Sequence, residues 1–592
     1  MPRKLPRKDV AIIGLGWTGS ILANELTDAG LDVVAIERGP WRDTATDFSI
    51  SYAQDELRYR IQHELFLRNS QMSVTFRNNV NQTALPVRTW GAFMLGNGAG
   101  GAGVHWNAET WRFQPTDFTL KSHLTQRYGA NFLPDDMTIQ DYGVSFDELE
   151  PHYDAFEYLC GTSGQAGNLG GTIQAGGNPF EGPRSRPYPT PPQKQGYGHT
   201  LFGEAAKQLG YKPFPQPSGN LSRSYTNPLG VTLGQCTYCG FCEWFGCANY
   251  SKATPQTTIL PVLLRKSNFE GRTDCEVTRI NLDNTGKRAT GVTYVDTSGE
   301  EFEQPADLVL LCAFSLFNVQ LLLLSGIGTP YDPQTGQGQI GRNFTHQTMS
   351  TALGFFDKDK YNFNPFVASG AIGMCIDEFN GDNFDHSSLG FVGGGYLGNV
   401  QTNGRPIETT AVPPGTPAWG PKWKQALKDN YLSTINSGGN VHASFYSYRD
   451  NYLSLDPTYK DRFGRPLMRI TLDLHDNEIK MSAWLTDKFA EILRQMGAKQ
   501  IVKKPRTGPY DVTQYQTSHL NGGAIMGDNP RNSALNRYLQ SWDVPNLFVM
   551  GASAFPQNAG YNPTGTVAAL AYWSASAIRS QYLKNPGALV HV

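Results

Sequence analysis

The chain has no run approaching the roughly 20 apolar residues that a bilayer span requires. It has no excess of one charge either: 50 Lys+Arg face 52 Asp+Glu in 592 residues. That balance offers no basic footprint for a nucleic-acid partner. It contains no internal repeat and no low-complexity tract. The opening stretch is not expected to be a cleavable export signal. The opening MPRKLPRKDVAIIGLGWTG places basic residues before an apolar run, but no small-residue cleavage site follows, and the run reads as a strand. The chain is therefore expected to carry no export signal of its own. Cysteine is scarce, with 8 residues, of which Cys160, Cys275, Cys312 and Cys375 are scattered and read as small core residues. Glycine is plentiful at 63 residues, as suits a large enzyme with tight turns and close backbone approaches. The length leaves room for two or more domains.

The other cysteines crowd into one segment, QCTYCGFCEWFGCANYSK, as Cys236, Cys239, Cys242 and Cys247. The spacing C-x2-C-x2-C-x4-C reads as thiolates gathered around iron and sulfide. Zinc is the main rival, although structural zinc sites usually separate two Cys pairs by a longer knuckle. Two disulfides in such overlapping short loops would be strained. The run resembles the bacterial ferredoxin pattern with a longer last gap and no proline after Cys247. Three ligands hold a 3Fe–4S cluster and four a 4Fe–4S; the first is preferred here, and the spacing leaves both open.

The N-terminus forms a second signature. Val10–Ile13 is an apolar strand, and Gly14, Gly16 and Gly19 make G-x-G-x-x-G. A helical stretch from Ser20 to Ala29 follows, then a strand over Asp32–Ile36 that ends at Glu37. In this order the glycines allow a pyrophosphate to approach a helix N-terminus, and Glu37 can accept hydrogen bonds from ribose hydroxyls. The alternative is a glycine-rich turn that binds nothing.

A second glycine-rich segment spans Gly96 to Asn107 and includes His105. Close backbone approach to a flat or phosphorylated ligand explains its density. Residues Gly161 to Pro217, rich in Gly, Pro and Ser, read as a long irregular connection. Further elements are a buried strand Asp307–Cys312, a helix Asn318–Ser325, a strand Arg469–Leu474, an amphipathic helix Lys480–Met496 and a helix Gly565–Tyr582. The stretch TTAVPPGTPAWGPKW reads as irregular. The expected division is 1–344 for nucleotide binding, with the cysteine loop at 232–252, then 345–504 covering the substrate, then 505–592 returning to the first domain.

These pieces, in this order, resemble the glucose–methanol–choline (GMC) oxidoreductase family along the whole chain. The resemblance rests on the fingerprint through Glu37, Gly96–Asn107, Leu321–Gly328, Gly341–Asn343, His519–Gly527, and Gly551–Pro556 with Asn562–Thr564. The cysteine loop and the stretches HLNGGAIMG, SALNRYLQSWDVPN and GYNPTGTVAALAYWSA are similar to the flavoprotein subunits of membrane-bound gluconate 2-dehydrogenases and their 2-ketogluconate-oxidising relatives. The resemblance implies an α/β fold, with a Rossmann-like FAD-binding domain interleaved with a mixed-sheet substrate domain, plus an iron–sulfur loop. It implies FAD contacts at Gly14, Gly16, Gly19, Glu37, Gly98, Gly101, His105, Asn107, Val277, Gly551, Ala552 and Thr564. The run VHWN is similar to an attachment run in pyranose 2-oxidase, which implies a covalent flavin at His105; the blander reading is a His hydrogen-bonded to the ring. Gly523 stands where the family usually has Thr.

The resemblance also implies a catalytic pair. His519 matches the family's base, and Asn562 its partner that holds the alcohol oxygen. The rival readings are a structural His and a turn-forming Asn before Pro563. The implied reaction oxidises a secondary alcohol of a sugar acid: gluconate to 2-ketogluconate, or 2-ketogluconate to 2,5-diketogluconate. Electrons would pass from FAD to the cluster, a multihaem cytochrome c subunit and ubiquinone. A small partner would carry the export signal, placing the complex on the periplasmic side of the inner membrane. Competing readings are a sugar or glucoside dehydrogenase, an oxygen-using oxidase and a non-catalytic electron-transfer subunit. His442 and Arg449 are the candidate partners of a substrate carboxylate.

Overall fold

The computed structural model describes residues 2–48, 61–88, 93–364, 367–402, 412–433 and 436–591. One sheet grows from the N-terminal β-α-β unit. Strands Phe269–Arg272, Val33–Ile36, Lys8–Ile13 and the second half of Glu301–Leu311 run parallel, with Leu547–Val549 beyond. The first half of Glu301–Leu311 pairs antiparallel with Ala289–Val295, which pairs with Glu276–Leu282. Val10, Ala11, Ile12, Val33, Val34, Val309 and Leu310 are all fully buried. Both faces of these strands are covered, which is why they read as continuous apolar runs and not as alternation.

The turn after Lys8–Ile13 needs glycine twice. Gly14 has φ +96°, and a Cβ there would stand 2.6 Å from the Cys312 carbonyl oxygen. A Cβ on Gly19 would stand 2.1 Å from the Gly14 oxygen, so Gly19 lets the helix pack onto the turn. The helix runs Trp17–Asp28, starting earlier than the sequence reading, because it begins as soon as this turn closes.

A second, antiparallel sheet has the order Gln500–Lys504, Thr348–Phe355, Asn436–Ala443, Gly395–Val400, Gly373–Ile376 and Phe214–Pro215. Helix Asp476–Gln495 lies on it, starting ahead of the expected Lys480 with Asp476 and Glu478 in a first turn that favours acids. Its Met481, Leu485, Phe489 and Ile492 pack with Ala352, Leu397 and Val441 of the sheet. Each such side chain contributes about 1.5–3 kcal/mol on full burial. A third sheet pairs Tyr452–Lys460 and Pro466–Thr471 with Thr75–Arg77 and Leu85–Pro86.

Two helices lie in stretches that the sequence reading took as irregular. Tyr197–Gln208 lies inside the segment read as irregular. Its buried face is His199, Gly203, Ala205 and Ala206 plus Phe202, which meets Phe489 at 5.7 Å between ring centres. Its flanking Gly and Pro hid that short face. In TTAVPPGTPAWGPKW, residues 409–411 lie outside the described ones, and Pro421 opens a helix Pro421–Ser433. Pro is favoured at the first helical position, so the last proline of an irregular run became a helix start.

A buried ion cluster ties two site-bearing segments together. Glu157, on helix Phe146–Cys160, accepts two bonds from Arg112, both 2.8 Å, and is also bonded by Arg184. The helix packs against Thr564–Ala577, and Arg112 follows the His105–Glu109 segment. Burial pushes the Glu157 carboxyl up, but Arg112 and Arg184 outweigh it and hold it below its ordinary 4.5. Glu157→Ala should therefore destabilise the fold by about 3–5 kcal/mol at neutral pH, because two buried guanidinium groups lose the carboxylate they share and keep only Glu150 and Glu181 as counter-charges. A depressed folded pKa means the contribution is full above the ordinary value and is lost as pH falls through the folded one. Urea midpoints should accordingly converge in acid; equal midpoints at pH 7 would refute the assignment.

Candidate functional site

One cavity of about 460 Å³ runs between the two larger sheets and meets most of the residues singled out by sequence. At one end lie Gly14, Gly16 and Glu37, with Val277 and Gly101 beside them. The helix N-cap at Gly16 has no side-chain bond, so the first amides of Trp17–Asp28 face this end without a capping group. That is the arrangement that accepts a phosphate. Glu37 holds the turn by accepting from the backbone amides of Leu15 at 3.0 Å and Gly39 at 2.9 Å. Gly19 and Gly98 do not line the cavity; they pack the turn and the loop behind it. Arg38 does line it, next to Glu37, with its guanidinium 4.4 Å from the Phe317 ring centre.

Midway, His105 and Asn107 line one wall, and Gly551, Ala552, Asn562 and Thr564 the other. The His105 imidazole is buried, and its Nε2 has no hydrogen-bond partner. Burial, aided by the charge of Lys252, lowers its pKa to about 3. A neutral ring with an unpaired nitrogen facing a cavity is a nucleophile without a protein partner. Asn107 donates to Glu109 at 2.7 Å. Glu109 is itself buried, and desolvation raises its pKa to about 7. Its other oxygen accepts from Trp111 at 3.2 Å and Tyr396 at 2.8 Å. The Tyr396 hydroxyl also lies 3.2 Å from Asn562 Oδ1.

At the far end stand His519 and His442, with ring centres 6.5 Å apart. His519 Nδ1 lies 2.6 Å from Gln347 Oε1. Burial, then the neighbouring His442 and His346, holds its pKa well below 6.5. His442 stacks flat on Tyr396 at 5.2 Å. His442 thus reaches the cavity, as the carboxylate-partner reading required. Arg449 does not: it sits past the end of Asn436–Ala443, exposed, and does not line the cavity. Among the described lining residues the Arg and Lys side chains are Arg38 and Arg465, and Arg465 is paired with Glu276 and Asp461.

The cysteine loop docks against this wall. The Trp244 amide donates to the His105 carbonyl at 2.9 Å, and Glu243 and Trp244 line the cavity. Lys252 Nζ, fully buried, donates to the carbonyls of Trp106, Cys242 and Phe245 at 2.7–2.9 Å, pinning loop to wall. All eight cysteines are free thiols, which removes the disulfide reading. Cys236, Cys242 and Cys247 are buried and Cys239 half-buried. The Tyr238 amide donates to Cys236 Sγ at 3.4 Å, and burial raises the Cys242 thiol well above its ordinary 9. Among the described residues, no group of three or more His, Cys, Asp or Glu is drawn together to hold a metal ion. The donor chemistry of the loop suits iron or zinc; its sulfurs do not form a closed site.

Residues 200–349 and 447–571 match the family described as GMC oxidoreductase. The gluconate 2-dehydrogenase flavoprotein of Pantoea cypripedii is 50% identical over 99% of this chain and 96% of its own length. The chain belongs to the GMC oxidoreductase family. The chain is also similar to the 2-methyl-1,2-propanediol dehydrogenase of Mycolicibacterium austroafricanum, 27% identical over 96% of this chain and 95% of its own. The fructose dehydrogenase large subunit of Gluconobacter japonicus is 26% identical over 96% and 97%. A crystal structure of pyridoxine 4-oxidase from Mesorbium loti shares the fold, with TM-score 0.58, 16% identity and coverage of 98% of this chain and 100% of that one. The GMC fold is the expected α/β architecture with mixed sheets, and membership implies FAD. The residues fit that group: a glycine turn at an uncapped helix N-terminus, an acid beyond it, and an unpartnered His105 Nε2 along one cavity.

Sequence reasoning missed Gln347, Tyr396 and Glu109. Glu109 carried a signal, as an acid inside VHWNAETWR. Gln347 and Tyr396 carried none, because they reach His519 and Asn562 from far along the chain, Gln347 just before strand Thr348–Phe355 and Tyr396 within Gly395–Val400.

Proposed function

We propose that this chain is the flavoprotein subunit of a dehydrogenase that oxidises a secondary alcohol of a sugar acid, either gluconate to 2-ketogluconate or 2-ketogluconate to 2,5-diketogluconate. The observation that carries the reading is that one cavity joins the nucleotide turn to the His519–Asn562 pair, while the cysteine loop forms part of its wall. The 50% identity to a gluconate 2-dehydrogenase flavoprotein supports the substrate class.

Bound FAD would supply the acceptor for the hydride leaving the carbinol carbon. The chain does the rest. His519 Nε2 takes the hydroxyl proton as the O–H bond breaks. Asn562, beside the Tyr396 hydroxyl at 3.2 Å, would hold the alcohol oxygen with its side-chain amide and aim the C–H bond. His442 and Asn440 line the substrate end and offer neutral contacts to a carboxylate or hydroxyls. Cys236, Cys239, Cys242 and Cys247 would hold a cluster that carries single electrons onward, 3Fe–4S in preference to 4Fe–4S. The receivers would be a multihaem cytochrome c subunit and then ubiquinone. A small signal-bearing subunit would accompany the chain to the periplasmic side of the membrane. Among the described residues no helix is long and apolar enough to cross a membrane, so attachment would run through partners.

Mixing the anaerobic flavoprotein with gluconate, 2-ketogluconate and neutral hexoses tests the substrate. One of the two acids should bleach the flavin fastest; bleaching by hexoses alone would refute the assignment. The resting base should stay neutral at working pH, since its pKa lies well below 6.5. The flavin reduction rate should therefore be flat through neutrality and fall only in more acidic solution, where His519 gains a proton.

His105 is proposed as the covalent attachment point. Acid precipitation should leave yellow colour on the protein, and a peptide containing His105 should carry the flavin mass. His105→Ala should release free FAD on the same treatment. Complete release from the unsubstituted protein would remove the covalent link and leave the FAD site standing.

A further inference from the structure

Three neighbours converge on the side-chain amide of Gln347. Its Nε2 donates to the Gly560 carbonyl at 3.1 Å. A carbonyl can only accept, so this bond fixes which end of the amide is which. The oxygen Oε1 is then turned to two imidazoles at once, His519 Nδ1 at 2.6 Å and His442 Nδ1 at 3.1 Å. An amide oxygen only accepts, so both Nδ1 atoms must carry hydrogen. Both rings line the cavity, and neither Nε2 makes a hydrogen bond to a described residue. We infer that Gln347 is a positioning residue that holds both His519 and His442 in the Nδ1–H tautomer, presenting two unprotonated Nε2 atoms to the substrate.

The inference rests on the reading of His519 as the base. The need for such a device is chemical. A neutral histidine left to itself favours the tautomer with hydrogen on Nε2, and that form cannot accept a proton there. One oxygen serving two rings also couples them. When His519 takes a proton on Nε2, its Nδ1–H becomes a stronger donor and claims more of Oε1, while its charge disfavours protonation of His442. The pair therefore accepts one proton, not two, which matches a reaction that releases one hydroxyl proton. The shorter bond marks His519 as the member that takes it. His442, held flat against Tyr396, is left as an acceptor for a neighbouring hydroxyl. The other ionisable groups around the pair are accounted for. His346 is bonded to Thr517 and Tyr510, each at 2.9 Å. Arg506, through its effect on His346, adds a positive field, and Glu109 lies behind Tyr396.

The test uses the FAD-loaded protein labelled with nitrogen-15 in histidine, and two variants. In the unsubstituted protein both rings should give nitrogen signals of the Nδ1–H form, assigned with His519→Gln and His442→Gln. Gln347→Leu should introduce Nε2–H signals at both rings without loss of FAD, and slow flavin reduction by roughly 10-fold or more, because much of the base is then in the wrong tautomer. Gln347→Glu keeps the shape and adds a carboxylate that stabilises imidazolium. A raised pKa means protonation, and loss of the base, at higher pH, so the acid limb of the reduction rate should move upward. Unchanged tautomer signals in Gln347→Leu would overturn the inference. Should that variant not fold, an unmoved acid limb in Gln347→Glu would do so. If His519→Ala reduces flavin normally, the base reading fails, while the nitrogen signals still decide what Gln347 does.

Discussion

Replacing His519 with alanine should slow substrate-dependent flavin reduction by roughly 10²–10⁴-fold, the scale on which a positioned general base contributes. The loss should appear in the reductive step, because the proton on the substrate hydroxyl then has no acceptor when the C–H bond breaks. FAD and metal content should not change, since the residue touches neither the glycine turn nor the cysteine loop. Its packing partners argue the same way: His519 hydrogen-bonds Gln347 and shares the cavity with His442, so its removal opens space at the substrate end and not in the core. Stopped-flow bleaching of the flavin reads the effect directly. A rate within a few-fold of the unsubstituted protein would remove His519 from the mechanism. Asn562→Ala should act differently. It deletes the group proposed to hold the alcohol oxygen, so reduction should slow while the pH limb set by His519 stays in place.

Substituting serine for the loop cysteines should produce the opposite division of effects. With all four of Cys236, Cys239, Cys242 and Cys247 replaced, substrates should still bleach the flavin, because the His519–Asn562 end is untouched. Delivery of electrons to a cytochrome or quinone should fall to background, since hydride arrives as a pair and haem accepts electrons singly. Single replacements sort the ligands: one of the four is dispensable in a 3Fe–4S site and none in a 4Fe–4S site. Iron analysis and electron paramagnetic resonance of the oxidised protein check the cluster itself. Zinc in place of iron, or quinone reduction that survives all four replacements, would rule out this exit path. The hydrogen bond from the Trp244 amide to the His105 carbonyl seats the loop against the cavity wall, where the proposed path would begin.

Much of this was legible in the chain. The N-terminal unit could be read because its signals are local: a buried strand is a continuous apolar run, and Gly14 and Gly19 are demanded by contacts within the same turn. The amphipathic helix Asp476–Gln495 was readable for the same reason, its apolar face recurring at helical spacing. Helix Tyr197–Gln208 was not, because a short face of Phe202 and alanines acquires meaning only when Phe489 stands opposite.

The site divides along the same line. Sequence order alone marked His519, Asn562, His105 and the four cysteines, since each sits in a short segment whose residue types are unusual together. Only the tertiary structure decided what surrounds them. Gln347 and His519 lie 172 residues apart, and Tyr396 and Asn562 166 apart. Such pairs leave no local periodicity, because Gln347 at the start of one strand and Tyr396 within another meet the C-terminal segment only in the folded chain. The same folding retained His442 and discarded Arg449. His442 lies within strand Asn436–Ala443, where its direction is fixed by pairing to Tyr396. Arg449 follows the strand, where its charge stays in water. Residue types thus set the chemistry available to the chain, while sheet register decided which of those groups face one another across the cavity.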